Sequence, residues 1–177
     1  MKTKTVLSLA VALTIALVAQ PMFANTIYSY TGNPFTNVTA PYTTSDFVSG
    51  MLTLAGPLAA NMPLTAVTPI AFSFSDGVQT LTQSDVRFSE FLFATGPSGA
   101  ITQWEVQLQG FGRGSLINTD DFLRGDLGIS GGGGGFVDLA GTWTSRTVAD
   151  TGSTLSLMTL TLMALGLVAR RFQRAAA

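Results

Sequence analysis

The stretch ITQWEVQLQ at 101–109 alternates apolar and polar side chains, a two-residue period that suits a half-buried strand and no helix. Trp104, Val106 and Leu108 fall on one face, and Gln103, Glu105, Gln107 and Gln109 on the other. The pattern recurs. In AFSFSDGVQTLT, Phe72 and Phe74 alternate with serines ahead of Asp76-Gly77, a favoured hairpin turn. In SEFLFATGPSGAITQWEV, strands around Phe91 and Phe93 and around Trp104 flank Gly96-Pro97-Ser98-Gly99, a loop of turn formers. Further strands are predicted at 27–30, 47–54, 115–118 and 136–140. Seven or eight short strands with frequent turns predict an all-β, jelly-roll-like β-sandwich.

One stretch breaks the pattern. Gly131 to Gly135 carry no side chains to bury and lose much entropy on ordering, so ISGGGGG reads as a flexible loop near the end of the domain. A phosphate cradle would need the glycines to open a helix, and a strand is predicted after them. The same objection removes GFGRG at 110–114.

The chain contains neither cysteine nor histidine. Disulfide frameworks, Cys/His metal sites, thiol nucleophiles and imidazole bases are therefore excluded, and the domain would have to hold together by core burial alone. Charge is distributed unevenly. From Asn25 to Thr147 nine carboxylates face four arginines, Arg87, Arg113, Arg124 and Arg146, for a balance of −5. Such a surface disfavours nucleic acid, whose binders present basic patches to phosphate.

The two ends are different in kind. Lys2 and Lys4, an apolar run over 6–19, Pro21 and the small Ala24 make residues 1–24 a secretory signal peptide. At the other end 155–169 holds no charge, and counting from Gly152 gives 18 residues, about 27 Å of helix. Asp150, Thr151 and Ser153 are N-cap candidates where that helix would begin. Arg170, Arg171 and Arg174 would act as the cytoplasmic stop of a transmembrane helix, so the chain would run from outside to inside.

A short polar motif, one apolar helix and a basic cluster at the C-terminus resemble the PEP-CTERM class of sorting signals. VADTGSTLSLM is similar to the variant with a Val-Pro-Asp-Ser-Gly-Ser core: Val148, Asp150, Gly152, Ser153 and Thr154 match it, with Ala149 at the proline position. The resemblance covers about residues 148–174. It implies export, transient anchoring in the inner membrane with the domain outside, and processing by an exosortase, an integral membrane protease. Release to the cell surface or to an exopolysaccharide and biofilm matrix would follow. The segments YSYTGNPFTN, FSFSDG, ITQW and GTWT resemble exported domains found upstream of such tails. The expected organisation is a signal peptide at 1–24, a β-sandwich domain at 25–147 and a sorting signal at 148–177.

Chemistry within the domain would fall to carboxylates. Glu105 alternates with glutamines on a wet face, and Glu90 sits in FSEFLF with no second acid nearby in sequence. Both read as solvated or structural charges rather than the carboxylate pair that glycoside hydrolysis requires. Asn118, Asp120, Asp121 and Asp126, in NTDDFLRGDLG, offer hard oxygen ligands of the kind calcium takes; the alternative is pairing of Asp121 or Asp126 with Arg124. No motif demands any other cofactor. Three functions fit: a non-catalytic surface or matrix protein, a carbohydrate-binding module, and a carboxylate-based polysaccharide-active enzyme. The second would use an aromatic platform from Trp143, Tyr28, Tyr30 and Tyr42 against polysaccharide.

Overall fold

A computed structural model describes residues 24–122 and 125–148. They belong to a compact unit, Ala24–Ala149. Most of the expected signal peptide (up to Phe23), Arg124 and the expected sorting signal beyond Val148 lie outside the described residues. The strands in chain order are β1 (Asn25–Thr31), β2 (Asn37–Thr39), β3 (Ser49–Leu54), β4 (Thr65–Ala66), β5 (Ala71–Ser75) and β6 (Thr80–Thr82). They continue with β7 (Val86–Thr95), β8 (Ile101–Gly110), β9 (Leu116–Asp120), β10 (Gly125–Ser130), β11 (Gly133–Val137) and β12 (Thr142–Val148).

Two antiparallel sheets form, in the orders β12-β1-β3-β5-β6 and β2-β11-β10-β9-β8-β7-β4, and no helix occurs among the described residues. The all-β sandwich expected from the alternation is what the chain builds. The long β7–β8 pair is joined through Gly96–Gly99, and β5 turns into β6 through Asp76–Gln79, at the two predicted hairpins. Gly77 and Gly99 take φ of 91° and 78°, the left-handed region that only glycine enters without strain.

The period-two pattern explains the core. Trp104, Val106 and Leu108 point inward from β8, and Phe91 and Phe93 from β7, toward Tyr28 and Tyr30 of β1 and Phe72 and Phe74 of β5. Rings dominate this layer: Trp143 lies 5.0 Å from Tyr30 and 5.2 Å from Phe93, and Phe72 lies 5.0 Å from Phe91, centroid to centroid. Each buried ring contributes roughly 1.5–3 kcal/mol of transfer free energy, enough together to hold a domain without disulfides. Gly50 of β3 makes room, since a Cβ there would meet Phe74 Cδ1 at 2.1 Å.

Among the described residues twelve strands form where seven or eight were expected, and the main correction concerns the glycine run. Gly133–Val137 is a strand, paired with β10 on one side and β2 on the other, and only Gly131 and Gly132 turn, with φ of 60° and 84°. The strand predicted at 136–140 is shifted toward the N-terminus because the glycines themselves pair. Strands β2, β4, β10 and β12 were not expected.

Candidate functional site

Three groups of residues have chemistry to offer. The first is the outer face of the large sheet. Glu105 stands opposite Asp120 across β8–β9 and opposite Leu92 across β7–β8; Glu90, opposite Gln107, is therefore its diagonal neighbour, at roughly 7–8 Å between Cα atoms. Burial, and then the charges of Glu90 and Asp120, raise the Glu105 carboxyl above the usual range. Sequence spacing hid this pair because Glu90 and Glu105 meet only through the hairpin. Gln103, Gln107, Gln109 and Asn118 complete a face of amides and acids. It is a sheet surface rather than a groove. A cleft of about 240 Å³ lined by Thr68, Phe72, Arg87 and Phe91, and one of about 550 Å³ over Leu127, Ile129, Gly134 and Phe136, contain neither glutamate.

The second group is the acidic segment read as a calcium loop, and the pleat divides it. Asn118 and Asp120 share the outer face, where Asn118 Nδ2 donates to Asp120 Oδ2 at 3.0 Å. Asp121 turns back, and its Oδ1 accepts the Trp104 N–H at 3.0 Å. Asp126, paired in register with Thr119, points the other way into the core. The structure thus does not bring the four together, and no three acidic side chains converge on a metal position among the described residues. Alternating residues of paired strands face opposite sides, so closeness in sequence did not become closeness in space.

The third group is buried between the sheets. Tyr30 of β1 donates its hydroxyl hydrogen to Asp126 Oδ1 of β10 at 2.6 Å and accepts the Gly141 N–H at 2.7 Å. Asp126 Oδ2 is buried with no hydrogen-bond partner. Burial raises this carboxyl from 3.8 to about 6, in spite of the Tyr30 hydrogen bond, which lowers it. Asp76 makes the reciprocal link from the small sheet: its Oδ2 accepts from Tyr42 Oη at 2.6 Å and Gln79 Nε2 at 2.9 Å, and its Oδ1 from the Val78 and Gln79 N–H groups at 3.0 and 2.9 Å. Gln79 Nε2 reaches on to Ile129 O at 2.8 Å. Both tyrosine hydroxyls are held far above their usual range, by burial first and then by the neighbouring aspartate.

These partners settle the aromatic platform. Tyr28, Tyr30 and Tyr42 are core residues, and Trp143 packs on Tyr30, Phe74, Phe93 and Trp104. None of the four forms a solvent-facing row for sugar rings. The tyrosine hydroxyls were the overlooked signal: a buried tyrosine needs a polar partner, which is an inward aspartate for Tyr30 and Tyr42 and the Leu58 N–H for Tyr28.

Of the residues expected to form a sorting motif, Val148 is described. It is the last residue of β12 and pairs with Asn25, the first residue of β1. Asp150, Gly152, Ser153, Thr154, Arg170, Arg171 and Arg174 lie outside the described residues. Comparison with protein-family models, with curated proteins and with solved structures finds no match to this chain.

Proposed function

We propose that this chain is an exported, non-catalytic surface or extracellular-matrix protein of the exopolysaccharide or biofilm type, sorted by an exosortase-type membrane protease. The observation that carries the reading is the three-part order of the C-terminus: a polar motif from Val148 to Thr154, an uncharged run over 155–169, and Arg170, Arg171 and Arg174 behind it. The closing strand supports it. Val148, the first residue of the polar motif, belongs to β12 and pairs with Asn25. The bonds buried between the sheets also favour a structural role, because Asp76, Tyr30 and Tyr42 spend their polar atoms on holding the sheets. The jelly-roll likeness belongs to the same reading: β1 to β5 alternate between the two sheets, as strands of such folds do.

Pulse-chase expression of the full chain with and without a membrane-bound exosortase tests the proposal. Conversion to a shorter form that depends on the protease and is lost in Asp150→Ala is the expected result. A chain that remains in the cytoplasm at full length would overturn it.

A further inference from the structure

We propose that the uncharged rim of the sandwich formed by residues 55–64 and 67–70 is a lipid-contacting surface, on which the β unit rests against the bilayer interface. The inference builds on the membrane-anchored reading above and adds to it a specific face of the domain.

The rim sits where the chain enters and leaves. β1 and β12 pair along their whole length, from Asn25↔Val148 to Thr31↔Thr142, so the chain enters β1 and leaves β12 at one end of the small sheet. Upstream of that end lies the apolar run 6–19, and downstream the run 155–169. Only six residues separate Val148 from Leu155, a span of at most roughly 25 Å when fully extended. The stretch of chain between this end of the sheet and the apolar run is therefore short.

The register carries the same end across the sheet. Thr26 faces Leu54 and Thr53 faces Ala71, so β3 finishes and β5 begins there, and residues 55–70 form the connection between them. That connection is pinned. Tyr28 Oη accepts the Leu58 N–H at 2.7 Å, Thr95 Oγ1 accepts the Met62 N–H at 2.9 Å, and Thr53 O accepts the Ile70 N–H at 2.8 Å.

Its chemistry suits lipid. No charged residue occurs between Asp46 and Asp76, within a domain whose balance is −5. Leu64 is 43% exposed and Ile70 51%, with Ala55, Ala59, Ala60 and Pro63 exposed beside them. The adjoining hairpin is uncharged too: from Glu90 to Glu105 no charge intervenes, and a Cβ on Gly99 would lie 3.3 Å from Leu58 O. Anionic headgroups repel carboxylates, and desolvating a charge at the interface is costly, so an acidic domain held near a membrane approaches best by its uncharged face. Apolar side chains there gain burial in the headgroup boundary.

The chain lacks cysteine, which makes the test direct. Full-length Leu64→Cys, Ile70→Cys and Val38→Cys variants are labelled with nitrobenzoxadiazole and reconstituted in phosphatidylethanolamine–phosphatidylglycerol vesicles containing nitroxide lipid. Val38 is the control: it is 38% exposed and lies on β2, the opposite edge of the large sheet from β4. Quenching at 64 and 70 at least about three-fold above that at 38 is expected from interfacial burial of the rim. Equal quenching at all three positions in a chain that floats with the vesicles overturns the rim and leaves the anchor standing. A chain that does not float overturns both. Spontaneous 64–64 disulfide dimers without quenching overturn it in favour of a second copy on this face.

Discussion

Tyr30 and Asp126 join the two sheets through one 2.6 Å hydrogen bond, and the second oxygen of that carboxylate has no partner. A proton on Oδ2 relieves the cost of a buried charge, which is why the carboxyl rises from 3.8 to about 6. The folded state therefore holds this proton more tightly than the unfolded state does. Its contribution to stability is fully present below about pH 4 and is lost as pH rises through about 6. The expected loss, as an order of magnitude, is about 2 kcal/mol for the wild-type chain relative to Asp126→Asn between pH 4 and pH 7. Urea unfolding in mild detergent, followed by the fluorescence of Trp104 and Trp143, measures it. A difference that does not change with pH would show that Asp126 is not the group responsible.

Asp76 predicts the opposite behaviour on substitution, because all of its hydrogen bonds are made. It accepts four, two of them from the turn that starts β6. Replacement by alanine strands those donors and releases Gln79 from Ile129 O, at a cost of roughly 3–5 kcal/mol. Asp76→Asn keeps the acceptor Oδ1 and loses less. Thermal unfolding ranks the two variants, and an alanine variant as stable as wild type would contradict the role.

The glycine strand predicts a pattern within three residues. A Cβ on Gly135 would strike the Phe35 ring at 2.2 Å, and one on Gly133 would meet Ala40 O at 1.9 Å, whereas one on Gly134 comes no closer than 3.2 Å, to Gly128 O. Gly133→Ala and Gly135→Ala are expected to lose about 1–3 kcal/mol through overpacking, and Gly134→Ala clearly less. Equal losses at all three, read by the same unfolding measurement, would mean that backbone entropy rather than packing selects glycine here.

The parts of the fold that were legible in sequence are those whose side chains display the period. Trp104, Val106 and Leu108 announced β8, and Asp76-Gly77 and Gly96–Gly99 announced their turns. Strand β11 was hidden because glycine has no side chain with which to alternate. Strand β12, TWTSRTV, was hidden because Trp143 is its one large inward residue and the rest are polar or exposed. Among the candidate site residues, Asp126 read as a solvent-facing ligand because a buried acid and a hydrated one look alike in a string, and its partner lies 96 residues away. The Glu90–Glu105 diagonal depends on register, which the sequence leaves open until the hairpin closes.

Transmembrane topology is the measurement that bears most directly on the whole reading. Phe111 is 71% exposed on the β unit, and Arg174 belongs to the basic cluster behind the apolar run. In cells expressing Phe111→Cys or Arg174→Cys, with the outer membrane opened and the inner membrane intact, a membrane-impermeant maleimide is expected to label position 111. Position 174 is expected to react only after detergent permeabilises the inner membrane. Labelling of both positions before permeabilisation, or of neither, would contradict an exported β unit held by an outside-to-inside tail.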